Sequence, residues 1–457
     1  MLSNSYSRVC LLLAIPAVMS ACTDESILAD TDRQVDGFIC DVVQVAAEHA
    51  DQSPDEFFSC RGNSVRLELD PEFEQEHWEL LTSGRARLEI DREPGMLDGG
   101  VIPASEITIV ESGSVQAASD SVGDDGSSVL VVRVVTTDVD PNGLVSEAEM
   151  YGNIFGGPDD NVNLKSQIEG CSHGKHAIQP AVVPGPHPGV MTVSVDQTAA
   201  GSESSALADA AAAQAQTQLG LDGPVESRFD HVLYCMPPGT NGEWRSWAEM
   251  NSSRSVYNQD WCSSASAPAH EFGHNMGLRH TNRHGRDRAD TVGHMGYKYI
   301  DDETPSKCFN AARSSQLGWF ADREVMVEAG TSGEYELIGA VDYPQATGEQ
   351  QVLLKIVSFD GSRVLHIGYN VGTGPNAGTD ATRRHVNVVE QEGGGSSTHL
   401  AALTEGSDAL VVGSFGNPAQ KVTVQVLSRP SEPEVGSATV DVATVQVTYT
   451  DERGRVN

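Results

Sequence analysis

Apolar positions along the chain change their rhythm three times. From residue 22 to about 126 the sequence is acidic and rich in turn residues, with short alternating stretches such as Val65-Arg66-Leu67-Glu68-Leu69 and Ala86-Arg87-Leu88-Glu89-Ile90. Alternation of this kind predicts half-buried strands. A polar run, Asp120 to Ser128, marks a boundary. The β-branched run Val129 to Val135 then reads as a buried strand, and a helix is expected around Val145 to Tyr151. Further strands are expected at Val190 to Val195 and His231 to Cys235, separated by an Ala-rich helix from Ser205 to Leu219. From about Val325 the pattern becomes strand and turn only, as at Tyr335 to Ile338, Gln351 to Ile356, Val364 to Ile367 and Val422 to Val426.

These rhythms predict an α/β (α+β) catalytic unit at 127–324. A β-rich region at 22–126, readable as a propeptide, precedes it, and a C-terminal β-sandwich at 325–457 follows. Ahead of them, Arg8 and the apolar run Val9 to Val18 read as an export signal over residues 1–21. Met19-Ser20-Ala21-Cys22 resembles the lipobox of bacterial lipoproteins, which would make Cys22 a lipid anchor; an ordinary signal peptide cut nearby would leave it incidental. The chain is therefore expected to be exported, either lipid-anchored to the envelope or secreted, with membrane contact only through Cys22. The sequence sets no oligomeric state.

A net charge of -36, from 65 acidic against 29 basic residues, argues against a phosphate-tracking surface, so nucleic acid is excluded as a partner. Setting aside Cys10 in the signal and Cys22, six of the 8 cysteines remain, an even number that suggests disulfides in an exported chain. Cys40 is expected to pair with Cys60, with two bridges among Cys171, Cys235, Cys262 and Cys308. The competing role for Cys60 is an inhibitory thiolate over a metal.

The chemistry lies in His270-Glu271-Phe272-Gly273-His274-Asn275-Met276-Gly277-Leu278-Arg279-His280. Histidines one helical turn apart share a face and can converge on one Zn²⁺. Glu271 beside them can reach a metal-bound water as general base without becoming a ligand. Gly277 lets the chain leave the helix, and His280 returns as a third ligand, leaving one position for water. His284 and His294 are read as loop residues.

Downstream, Gly293-His294-Met295-Gly296-Tyr297 supplies a methionine turn, and with it the chain resembles the metzincin metallopeptidases. Tyr234 to Thr240, Tyr257 to Cys262, Lys307 to Ala312 and Gln316 to Trp319 extend the likeness to the gametolysin family over roughly Val129 to Phe320. The resemblance implies zinc-dependent hydrolysis of protein or glycoprotein substrates, and it suggests that Tyr297 donates to the oxyanion. The charged stretch Arg283 to Asp290 departs from the family pattern. A second candidate metal loop, for Ca²⁺, is offered by Asp138, Asp140, Asn142 and Glu149, with Ser146 between. The function expected is a zinc endopeptidase. Its rivals are a surface adhesion protein with a degenerate protease-like unit and a structural zinc protein, which would close the site with a fourth protein ligand.

Overall fold

Eleven strands build the main sheet: β1 (Phe38–His49), β2 (Asp55–Cys60), β3 (Val65–Leu67), β4 (Arg87–Ile90), β5 (Ile107–Val110), β6 (Ser127–Val135), β7 (Ile178–Pro180), β8 (Val190–Ser194), β9 (His231–Met236), β10 (Trp244–Glu249) and β11 (Arg254–Asn258). Hydrogen-bonded neighbours run β3-β2-β1-β10-β11-β9-β6-β7, with β8 also on β6 and β4 linking β1 to β5. The computed structural model describes residues 38–49, 55–61, 65–92, 100–110, 126–157, 160–296, 306–379, 382–392, 395–416, 418–429, 440–451, 453 and 455. The expected signal, the Cys22 anchor, Tyr297 and all but the end of the Asp120 to Ser128 linker lie outside them.

At the centre, β6 pairs in parallel with β8 and β9, and β9 with β11. Strands buried on both faces need no polar alternation, which is why Val129 to Val132 are all fully buried. Val129 and Val131 face one core with Ile154, Ile168 and Phe272, while Leu130, Val132 and Val134 face the other with Leu207, Ala208, Ala211 and Ala215. The helices that supply these layers include α3 (Glu147–Phe155), α4 (Leu164–Ser172), α5 (Ser204–Leu219) and α6 (Ser266–Asn275); α1 (Pro71–Glu76) and α2 (Trp78–Leu81) lie in the N-terminal region, and α7 (Ala311–Gln316) follows the site. Toward β10 the sheet turns antiparallel, and β1 pairs antiparallel with the far side of β10.

The remaining strands are β12 (Thr281–Arg283), β13 (Glu324–Val327), β14 (Gly333–Ile338), β15 (Leu353–Val357), β16 (Arg363–Asn370), β17 (His385–Glu392), β18 (Ser397–Leu403), β19 (Leu410–Phe415), β20 (Gln420–Ser428) and β21 (Val442–Asp451). They form a six-stranded sheet, β12-β18-β17-β16-β15-β13, and a four-stranded one, β14-β21-β20-β19. Residues of both, among them Ile356, Leu365, Val388, Val424 and Val445, share one core cluster. The whole is a mixed α/β fold dominated by sheet; the elements expected at 190–195, 205–219 and 231–235 stand within a residue of their expected ends, and the strand expected at 335–338 begins two residues earlier, at Gly333. Three disulfides join Cys40 to Cys60, Cys171 to Cys308 and Cys235 to Cys262, as one expected pair and two among the other four. Cys60 is thus spent on β1 and carries no free thiolate.

Candidate metal centre

Every residue of α6 is buried, so its histidines face protein on all sides. The helix stops at Gly277, whose φ of 81° suits glycine. Gly277 N–H donates to the His274 carbonyl at 2.8 Å and Leu278 N–H to the Gly273 carbonyl at 2.9 Å, the paired bonds of a Schellman cap. That turn swings the chain back so that His280 meets His270 and His274. The Nε2 atom of His274 lies 3.1 Å from each of the other two Nε2 atoms.

Second bonds fix which nitrogens carry protons. His270 Nδ1 stands 2.6 Å from the His294 carbonyl and His274 Nδ1 stands 2.8 Å from the Leu278 carbonyl. A carbonyl only accepts, so each neutral ring holds its proton on Nδ1 and turns an Nε2 lone pair inward. Lone pairs this close repel unless a cation lies among them. Donors bound to one tetrahedral zinc at ordinary bond lengths stand about 3.3 Å apart, which the spacing matches.

Glu271 is fully buried, and the Ser246 hydroxyl of β10 donates to its Oε1 at 2.5 Å. Met295 lies against the back of the same helix: a Cβ at Gly273 would meet its sulfur at 2.3 Å. Thr281 N–H donates to the Met295 carbonyl at 2.7 Å, and Arg313 donates to the His280 carbonyl at 2.8 Å. β12, starting one residue after His280, pairs with β18, so the six-stranded sheet steadies the third histidine. His284 is exposed in its loop, while His294 is buried and contributes its carbonyl to His270; burial holds the His294 imidazole well below its ordinary pKa.

The fourth position differs from expectation. Where three histidines and water were expected, Glu48 of β1 joins the three rings, its donor atom within 4.8 Å of theirs. Glu48 Oε1 is 2.8 Å from His280 Nε2 and 3.4 Å from His270 Nε2, and the carboxylate is fully buried. Arg288, from the stretch that departs from the family pattern, forms an ion pair with its other oxygen. Sequence reasoning missed Glu48. Its one signal was a carboxylate closing the apolar run Val45-Ala46-Ala47-Glu48, because a charge on a buried face requires a partner.

The calcium candidates serve other bonds. Asp138 accepts from the N–H groups of Ala199 and Ala200 at 2.7 and 3.0 Å, which lowers its pKa. Asp140 accepts from Asn142 N–H at 2.9 Å, and Ser146 caps α3. Among the described residues the cluster that could hold a metal is the Glu48 and histidine group.

A helical histidine pair, a returning third histidine and a methionine beneath them are the features of a metallopeptidase. Comparison of sequences narrows the class: residues 141–355 match the gametolysin peptidase M11 family, bearing out the resemblance over that span. No curated protein matches the chain. Among solved structures, wild-type OgpA from Akkermansia muciniphila shares 13% identity over 72% of this chain and 85% of that one, with a TM-score of 0.26. A catalytically inactive OgpA in complex with an O-glycopeptide (glycodrosocin) substrate shares 12% identity over 70% and 92%, with a TM-score of 0.25. At such scores neither likeness bears on the fold.

Proposed function

We propose that the chain is an exported zinc endopeptidase of metzincin type, hydrolysing peptide bonds of extracellular proteins or glycoproteins, with a C-terminal β-sandwich. The observation that carries this is the convergence of three imidazole lone pairs on one point beside a buried carboxylate. His270, His274 and His280 would hold the metal. Zinc bound there would act as a Lewis acid, making water nucleophilic near neutral pH and polarising the scissile carbonyl. Glu271 would accept the proton of the attacking water and return it to the leaving amine. The Ser246 hydroxyl, donating to Oε1, keeps that carboxylate aimed. Tyr297 is assigned to the oxyanion on family likeness. Three disulfides suit an oxidising compartment and so support export.

Glu48 favours a second reading, a closed structural site with four protein ligands. Against it, a structural site has no use for Glu271, a further buried carboxylate held by Ser246. The two readings part on one experiment. Purified protein is expected to bind one zinc per chain, to cleave a peptide library in a chelator-sensitive manner, and to lose roughly 100- to 10,000-fold in rate as Glu271→Gln while keeping its zinc. Stoichiometric zinc without cleavage by any processed or unprocessed form would favour the structural site.

A further inference from the structure

We infer that Asp290 and His399 are a buried pair of positioning residues that sets His280 and the methionine turn in place, making the C-terminal sheet a working part of the metal centre. This rests on the reading of the three histidines as metal ligands and adds what aims the third of them.

His280 has the least local support of the three. His270 and His274 stand on one buried helix, whereas His280 only precedes β12, a strand of three residues whose strand partner is β18. Parallel pairing over so short a stretch is a weak hold. Behind β12 the chain loops back to Met295, and one carboxylate ties the inner end of that loop. Asp290 is fully buried. Its Oδ1 accepts from the N–H of Val292, three residues ahead of Met295, and its Oδ2 from the Asn310 side-chain amide, each at 3.0 Å. The same amide nitrogen donates to the Thr281 hydroxyl at 3.1 Å, and that hydroxyl bonds the Ser397 hydroxyl of β18 at 3.0 Å. One run of bonds thus joins the residue after the third ligand, the start of α7, the approach to the methionine turn and the C-terminal sheet.

A buried carboxylate needs opposite charge beside it. Lys307 and Arg313, both buried, attract it, and His399 reaches it from the C-terminal sheet. His399 is buried on β18, with Nδ1 3.4 Å from Asp290 Oδ1. Its Nε2 lies 3.0 Å from the Ala401 carbonyl, which only accepts, so Nε2 carries a proton. Nδ1 has no hydrogen-bond partner among the described residues. Facing lone pairs on Nδ1 and Oδ1 would repel, and a proton held between them removes the repulsion. The pair is then neutral as a unit, whichever atom holds the proton, and costs less to bury than a lone ion. Close packing passes its position on: a Cβ at Gly296, the residue after Met295, would run into the Asp290 carbonyl.

The test follows the full chain loaded with cobalt(II), whose visible absorption reports its ligands. His399→Gln keeps a donor for the Ala401 carbonyl but leaves Asp290 without its partner. Cobalt release to a chelator is expected to become roughly 10- to 100-fold faster, the cost of losing a support of a metal-binding histidine, with an altered spectrum. Adding Asp290→Asn strands no charge, so the double variant should recover part of that loss. Ser397→Ala, which removes one hydroxyl from the run of bonds, should speed release roughly fivefold. A folded His399→Gln chain with wild-type spectrum and release overturns the inference even if its denaturation midpoint falls, because the pair would then only stabilise the fold. So does a double variant that releases cobalt as fast as His399→Gln alone. If the charge variants do not fold, wild-type release from Ser397→Ala overturns it. A wild-type chain that takes up no cobalt removes the metal reading and the inference with it. Because both readouts are of the metal, they decide the inference even in a chain that cleaves nothing.

Discussion

Helix α6 and strand β1 aim side chains at the same few ångströms, but different physics places them there. His270 and His274 are neighbours because a helix repeats every 3.6 residues, and His280 returns through a cap that needs only Gly277. Glu48 arrives from more than two hundred residues away, through a strand register with β10, a disulfide and three arginines. The first arrangement is local and survives wherever the helix forms. The second exists only when the whole sheet is assembled. The difference sets a contact that needs the whole fold beside one that a single helix and its turn can hold.

The sharpest way to break the comparison is to remove the local arrangement's last member. His280→Ala is expected to lower zinc affinity by more than the roughly 10- to 100-fold that losing a supporting hydrogen bond costs. Metal retained after dialysis against a chelator would show that Glu48, not His280, completes the site. The disulfides and the β1 pairing should survive in that variant.

A smaller effect is expected at Gly273. An added Cβ would meet the Met295 sulfur at 2.3 Å and a Phe309 ring carbon at 3.1 Å, so the turn beneath the helix must shift. Overpacking of this kind costs about 2 kcal/mol, readable as a lowered denaturation midpoint of the metal-free chain. Wild-type stability in Gly273→Ala would mean that Met295 is not pressed against the helix.

The same contrast governs what the sequence could reveal. The histidine spacing, Gly277, the Met295 turn and the buried run at Val129 to Val135 are properties of neighbouring residues, and the structure places them as the pattern predicts. The Cys40 to Cys60 bridge was also legible, from an even count of cysteines in a chain expected to be exported. Glu48 was not, since an isolated glutamate at a strand end looks like a solvated one until its partner strand is known. The departure at Arg283 to Asp290 looked like an irregular insert, yet Arg288 reaches Glu48, and Asp290 is buried, accepting from Asn310 at 3.0 Å. Strand β1 alternates poorly because most of it is buried on both faces, so periodicity did not announce it. The helix α1 was missed although Asp70 and Pro71 mark its start, with Asp70 accepting from the N–H groups of Glu72 and Phe73 at 3.0 and 3.1 Å.

The smallest expected effect lies where the two arrangements meet. Arg279 belongs to the metal-binding segment by sequence and to the N-terminal strands by contact, since its guanidinium bonds Glu56 and Gln44 and lies 4.9 Å from the centre of the Trp78 ring. The pair with Glu56 is only partly shielded, with 11% and 23% of the side chains exposed, so it contributes about 1 kcal/mol or less. Arg279→Ala should therefore leave the global denaturation midpoint nearly unchanged. It should still raise amide exchange along Val42 to Glu48, because these contacts hold β1 and β2 without supporting α6. Faster exchange confined to β1 and β2 would mark them as a separately opening unit. Equal acceleration in α6 would mean that the strands and the helix open as one, and the distinction between the local arrangement and the long-range one would be lost.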